Sequence, residues 1–436
     1  SFFYPSVSTS VMLDKILNLQ ENAPWFTFFK LRGSWANVGK DTDPYALDQY
    51  YTSTVFPGGF RPGATIPDPN ICPENVETWE VGLEAKFLDN RIGADVALYQ
   101  SDITNQIYDV TNDYMSGAKY YTENIGLIRN KGIELAFTFV PVRTKDWNWT
   151  INVNAARNIG ILKEMYDGWD PNEPHRTSYG TAFGSAFYVY NYIGRQMGEI
   201  WGTKLMKKAP EGSYYIDADG NKVDCSGMYE INEKNGYMVA DPNSRCIGNV
   251  NPDWTGGFST SLRWKDLTLS MAFSAQLGGD TYSVTAAILG QKGHLMNTMP
   301  GRNDGLVAEG VNFVGTDEEG NSIYKVNQTV TENIYNYYKD YAANRYNIEA
   351  YTYDTSFLKM RELRIEYNFP KALMARQKVL QGVSLAAYAT NLFCITNYPF
   401  FDPEAGTMEG TNMLRGAEAG SYPMTRGFGF NLKLKF

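Results

Sequence analysis

Long apolar runs are missing from this sequence of 436 residues, and none approaches the ~20 residues that a membrane-spanning helix needs. That excludes a helical membrane protein and leaves a closed β-barrel as the one way such a chain could cross a bilayer. Basic residues are also short: 39 Lys and Arg stand against 48 Asp and Glu, for a formal charge of −9. Without a basic stripe to displace counterions from phosphates, nucleic acid is not expected as a partner. Histidine occurs only at His175 and His294, neither with the cysteine or carboxylate spacing of a zinc site. Four cysteines (Cys72, Cys225, Cys246, Cys394) are too few and too scattered for a disulfide scaffold. Cys225 and Cys246 flank one polar segment and read either as a pair or as two free thiols. The first residues, Ser1 to Pro5, carry neither the basic nor the apolar segment of a signal peptide. For an exported product this predicts a processed or incomplete chain.

Aromatic residues are plentiful at 14%, with 31 tyrosines, and hydrophobic residues reach 43%. Such a chain buries enough apolar surface to offset its ordering entropy, so disorder is not expected. Its organising signal is period-two alternation, which sends successive side chains to opposite faces of a strand. Trp79, Val81, Leu83, Ala85 and Phe87 share one face, while Thr78, Glu80, Gly82, Glu84 and Lys86 share the other. The same rhythm runs through 92–98, 133–139, 147–155 and 267–275. It is cleanest at the end, where Met424, Phe428, Phe430, Leu432, Leu434 and Phe436, with Arg426 as the one exception on their face, alternate with Thr425, Asn431, Lys433 and Lys435.

A soluble sandwich would also alternate. Two features favour a membrane barrel. Charge on the polar face (Glu80, Glu84, Lys86, Asp95, Glu134) suits a wet lumen, and tryptophans at expected strand ends (Trp25, Trp79, Trp147, Trp149, Trp254, Trp264) suit a membrane–water interface. Connection lengths add a topological argument. Tight turns at 89–91, 143–146 and 265–266, with somewhat longer ones at 17–25 and 370–382, alternate with long irregular stretches at 38–76, 105–124, 160–250, 280–355 and 397–422. One rim of a transmembrane barrel carries short turns and the other long external loops. Strands are expected at 5–14, 26–37, 77–88, 91–103, 128–141, 147–159, 254–264, 267–279, 357–369, 383–394 and 424–436. The fold class is therefore all-β: an antiparallel transmembrane barrel with short periplasmic turns and long extracellular loops. An odd count of eleven, with the last strand ending in the periplasm, predicts that further strands precede these.

Several stretches carry a family pattern. Phe26 to Gly39 (FTFFKLRGSWANVG), Pro73 to Glu84 (PENVETWEVGLE) and Asn124-Ile125-Gly126 with Asn130 to Glu134 (NKGIE) come first. Ile247 to Phe258 (IGNVNPDWTGGF), Phe357 to Leu363 (FLKMREL), Asn391-Leu392-Phe393 and Phe401 to Glu404 (FDPE) follow in order. Together they resemble the C-terminal half of the SusC/RagA-like TonB-dependent transporters of the bacterial outer membrane. Met360 and Glu362 depart modestly from the pattern. Phe436, closing an aromatic strand with Phe428 and Phe430, is similar to the assembly signal of outer-membrane barrels.

The resemblance implies about 22 strands closed around a plug, of which residues 1–436 would supply about half, the plug and N-terminal strands lying outside this chain. It also implies import of oligosaccharides or peptides, a SusD-like surface lipoprotein as lid, and pulling by the TonB complex through the N-terminal region. Dimers of such SusC–SusD pairs embedded in outer-membrane lipid complete the expectation. Flat loop aromatics (Trp169, Tyr179, Tyr188, Tyr190, Tyr192, Trp201) are candidate substrate contacts, suited to sugar rings but also to peptides and to packing among the loops. A passive porin or a secreted carbohydrate-binding β-protein would share parts of this pattern.

Little points to catalysis, and no cofactor or metal is expected. Gly33 to Lys40 has the wrong glycine spacing for a phosphate loop and Asp41 in place of Ser or Thr. Asp217-Ala218-Asp219-Gly220-Asn221, with Asp224, looks like a calcium loop but lacks the terminal bidentate glutamate and reads as a polar turn. Paired carboxylates for glycoside hydrolysis cannot be singled out among 48 acids.

Overall fold

The computed structural model describes all residues except 1–2, 42–46, 112–114, 116–117, 119, 167, 179–186, 203, 371–378, 400–401, 405, 410–411 and 415. Eleven strands form one antiparallel meander: β1 (Ser6–Met12), β2 (Phe26–Lys40), β3 (Glu74–Phe87), β4 (Ile92–Thr111), β5 (Tyr120–Arg143), β6 (Trp147–Glu164), β7 (Trp254–Trp264), β8 (Leu267–Leu277), β9 (Phe357–Asn368), β10 (Gly382–Thr396) and β11 (Gly427–Lys435). Each pairs with its neighbours in sequence order, and a short strand, Thr65–Pro67, runs parallel against the start of β5. Every expected strand is present. No described helix is long and apolar enough to cross a membrane.

Register explains why alternation was so regular. Val81 faces Leu98, and Leu98 faces Ile133, so the apolar face is continuous across strands. On the other face Glu80, Tyr99, Gly132 and Asn158 lie in one row. Charges there neutralise one another: Lys30 reaches Glu84 at 2.8 Å, Arg32 reaches Asp95 at 2.9 Å, and Arg129 grips Asp102 at 2.6 Å. The apolar face is exposed in the isolated chain, with Trp79, Val81, Phe428 and Phe430 all more than half exposed.

Cross-strand glycines accommodate large side chains on the polar face. The ring of Tyr99 lies over its partner Gly132, where a Cβ would come within 2.3 Å of Cζ. Tyr388 covers Gly429 in the same way, at 2.6 Å. The tight turn from β3 to β4 holds Leu88, Asp89 and Asn90 at φ of 53°, 55° and 61°. Asp and Asn tolerate this left-handed geometry.

Two expectations need correction. Residues 105–124 are not an irregular connection, because β4 and β5 continue pairing out to Thr111 and Tyr120. Trp79 is not at a strand end either: β3 begins at Glu74, and Trp79 packs against Trp35 of β2 at 6.0 Å within the ladder. The interfacial reading does suit Trp147 and Trp264, opposite each other beside tight turns and stacked at 5.7 Å.

A larger correction concerns the long connections. The described residues of 165–253, 278–356 and 397–426 are not independent irregular loops but share one folded cap. His175–Ser178, Phe187–Asn191, Glu199–Gly202 and Arg245–Asn249 form a four-stranded sheet. A second is built from both of the longer connections, with Tyr214–Ile216 running parallel to Ser322–Val326 and flanked by Lys222–Asp224 and Val311–Thr316. The third connection enters through Ala417–Glu418, which pairs with Asp280–Ser283. Short strands, each too brief to stand alone, escaped a periodicity reading because several of their partners are more than a hundred residues away.

Candidate functional site

The cap has a core of its own. Phe187, Val189 and Ile200 from the first connection pack with Tyr282, Val284, Ala286, Ala287, Ile348 and Tyr351 from the second, and with Ala417 from the third. Phe187 and Tyr282 stack at 5.3 Å. Glu418 is fully buried beside this core, and its carboxyl oxygens are met by three donors. Ser283 Oγ donates to it at 2.6 Å, Thr285 Oγ1 at 2.8 Å, and the Ser421 backbone N–H at 3.0 Å. A carboxylate so deeply placed is tolerated only when hydrogen-bonded in this way.

Because Phe187 and Val189 point into the core, alternation sends Tyr188 and Tyr190 to the opposite face of their sheet. Trp201 lies across from Tyr188, and Glu199 across from Tyr190, on that same face. Tyr188 and Tyr190 stack at 5.9 Å; Tyr190 meets Trp201 at 5.7 Å, and Tyr192 meets it at 5.4 Å. The indole Nε1 donates to Glu199 Oε2 at 2.9 Å, and Arg195 lies 4.9 Å from the Tyr192 ring centre. The result is a half-buried aromatic platform edged by one acid and one base. It is anchored to the strand wall, since Gly194 N–H donates to Leu162 O and Met197 N–H to Gly160 O on β6.

The sequence candidates thus divide. Tyr188, Tyr190, Tyr192 and Trp201 come together. Trp169 does not join them: its indole donates to Glu173 O at 3.0 Å and its ring packs on Tyr166, within its own turn. Tyr179 lies outside the described residues. Phe428 and Phe430 project from the apolar face of β11, and Phe436 follows that strand, exposed. Cys225 and Cys246 are separate thiols. Cys225 is buried with Ala209, Val311 and Tyr324 in the second cap sheet, whereas Cys246 is exposed opposite Trp201.

Asp217 is the pivot of a polar turn, its Oδ1 accepting from the N–H groups of Asp219 and Asn221 at 2.9 and 2.8 Å. Asp317 does the same for Glu319 and Asn321. Among the described residues no group of three or more His, Cys, Asp or Glu is placed to hold a metal ion. His175 packs edge-on to Tyr108 of β4 at 4.7 Å, its Nε2 within hydrogen-bond distance of the Tyr108 hydroxyl, and burial lowers its pKa.

Two motifs acquire a physical role that the sequence did not reveal. In the Ile247 to Phe258 stretch, Asn249 and Asn251 both donate from Nδ2 to Met197 O, at 3.1 and 2.8 Å, tying the platform's turn to the entry of β7. Lys359, on β9, is 1% exposed and is held by Asp402 and Glu404, with Arg361 also paired to Glu404. The FLKMREL and FDPE stretches are therefore two halves of one ion network joining the wall to the third connection. On the polar face of β2 to β7, Arg32, Asp95, Glu134 and Asn154 line a hollow of about 410 Å³.

Residues 2–392 match the family described as TonB dependent receptor-like, beta-barrel. The chain belongs to this family. It is an outer-membrane protein, and the eleven strands are wall of a TonB-dependent receptor barrel. Among curated relatives, TonB-dependent receptor P3 of Formosa agariphila is 26% identical over 459 residues, covering 100% of this chain and 42% of the relative. SusC of Bacteroides thetaiotaomicron is 22% identical over 421 residues, covering 92% of this chain and 35% of SusC. The chain thus spans less than half the length of the curated relatives it matches. A solved structure of the RagAB peptide importer in its closed-closed state superposes with a TM-score of 0.70 at 20% identity, over 99% of this chain and 43% of the other. The open-open state gives 0.67 at 19% identity. These likenesses establish the fold of a receptor barrel wall together with its external cap.

Proposed function

We propose that this chain is the C-terminal portion of a SusC-like importer that brings large nutrients, oligosaccharides or peptides, across the outer membrane. The plug and the remaining strands belong to the rest of that protein. The observation that carries the reading is the cap, in which three connections from one rim fold together and hold an aromatic platform against the wall. A passive pore gains nothing from so elaborate a structure, whereas an importer needs a surface that engages solute before admitting it.

Partners follow from the same reading. A SusD-like surface lipoprotein would close over the cap, and Ile216, Phe313, Val314 and Val326, exposed on its second sheet, offer apolar area for such a contact. Transport energy would come from the TonB complex acting on the plug, and pairs of the two proteins would dimerise. The platform of Tyr188, Tyr190, Tyr192 and Trp201 would contact the solute.

Uptake of labelled oligosaccharides and peptides by cells expressing the full-length protein tests this. Uptake is expected to stop when TonB is deleted or the proton-motive force is collapsed. Uptake that continues unchanged in de-energised cells would establish the passive pore instead.

A further inference from the structure

The second connection carries a basic hollow separate from the aromatic platform. The helix Val284–Gln291 ends beside it. Lys292, Thr298, Arg302, Tyr335, Tyr338 and Lys339 line a space of about 370 Å³, large enough for one ring-sized group. No acidic side chain contributes to the lining. In a chain with a net charge of −9, three cations gathered without a carboxylate among them are out of keeping with the whole.

Arg302 is held rigid by uncharged acceptors. Its Nε donates to Thr298 O at 2.8 Å, and its Nη2 donates to Gly293 O at 2.6 Å and to Thr298 Oγ1 at 2.9 Å. Thr298 is itself 1% exposed and fixed by donation to Leu295 O. These bonds use Nε and Nη2, and among the described residues none is made by Nη1. Among the described residues neither Arg302 nor Lys292 forms an ion pair, and Lys339 has only Asp340, at 4.0 Å. Tyr338 is pinned by its hydroxyl, which donates to Pro300 O at 2.8 Å, and the Lys339 ammonium stands 5.4 Å from the Tyr335 ring centre. An anion entering the hollow meets these cations without a carboxylate in the lining to displace.

We propose that this hollow is a second ligand site, taking an oxyanion (carboxylate, sulfate or phosphate) carried on a ring-sized unit. Arg302, pre-oriented, supplies directed N–H donors. Lys292 and Lys339 supply charge from the two sides, and the flat faces of Tyr335 and Tyr338 receive the body of the group. Only the fate of the solute rests on the import reading. Binding in the hollow does not.

Calorimetric titration of the full-length protein in detergent tests the site, using glucuronate, glucose 6-sulfate, glucose 6-phosphate and neutral glucose as probes. At least one anionic sugar is expected to bind tenfold or more tightly than glucose, and its identity tells which oxyanion the site prefers. That affinity should fall as salt is raised to roughly 0.5 M, where exposed charges are screened within a few ångströms. The double variant Arg302→Gln/Lys339→Gln should lose tenfold or more in affinity with an unchanged proteolytic pattern of the cap. Should that variant fail to fold, Lys292→Gln, which breaks no ion pair, should still weaken binding severalfold. Glucose binding as well as its anionic derivatives, no binding by any probe, or full affinity in folded variants would each overturn the proposal. Anion binding without energy-dependent uptake would overturn the import reading and leave this site standing.

Discussion

Lys359 and Glu404 lie 2.6 Å apart, ammonium nitrogen to carboxylate oxygen, one sealed within the strand wall and the other on a connection that returns to it. Breaking one partner of a buried pair leaves an uncompensated charge, at a cost of about 3–5 kcal/mol for full burial. Glu404 is 36% exposed and keeps Arg361, while Asp402, 12% exposed, loses its cation, so about 2 kcal/mol is the fitting expectation after allowing for solvent screening. Lys359→Met is therefore expected to release 397–426 from the wall without unfolding the barrel. Faster protease cleavage within that connection, at unchanged heat-modifiable mobility of the barrel, is the readout. Unaltered cleavage would show that the ion network does not hold the connection.

The same network sets an acid limit. Burial alone would raise the Glu404 pKa, but the hydrogen bonds from Arg361 and Lys359 outweigh it and hold the carboxyl below its ordinary value of 4.5. A depressed folded pKa contributes stability that is present in full above the unfolded value and disappears as pH falls through the folded one. Protease resistance of 397–426 should hold from pH ~7 to ~5 and decline only below about 4.5. A decline centred near neutrality would point to another group.

Gly132 has no room for a side chain, because the Tyr99 ring occupies the space above it. Gly132→Val should cost about 1–3 kcal/mol through overpacking and lower the yield of folded protein in the outer membrane. Adding Tyr99→Ala should recover much of that yield. Failure of the pair to do better than Gly132→Val alone would rule out the steric account.

Trp201 and Trp169 give a matched contrast. Trp201 is the hub of the platform, whereas Trp169 closes its own turn. If the platform contacts solute, Trp201→Ala should weaken binding about tenfold, near 1.4 kcal/mol, while Trp169→Ala leaves it within about twofold. Equal effects from both would remove the platform from the site.

Alternation and connection length were enough to place the wall strand by strand, because each wall strand is long and pairs with its neighbours in sequence. The cap was not legible for the opposite reason. Tyr214–Ile216 is three residues long and finds its parallel partner at Ser322–Val326, so neither periodicity nor local turns mark it. Residue type pointed to Tyr188, Tyr190 and Trp201, but only the alternation of Phe187 and Val189 into a core explains why those rings face outward together. Lys359 and Glu404 were visible only as fragments of a family pattern. Their meeting depends on a fold-back that no local signal records.

The parallel pairing of Tyr214 with Ile323 also imposes an order of events. The hairpin of 214–224 lies in the first long connection and its parallel partner in the second, so this sheet cannot close before both connections have passed to the same side of β7 and β8. Until then the cap is a set of waiting edges. Contacts so distant in sequence close slowly, so the second cap sheet is expected to mature later than the wall, whose strands pair with their neighbours in sequence.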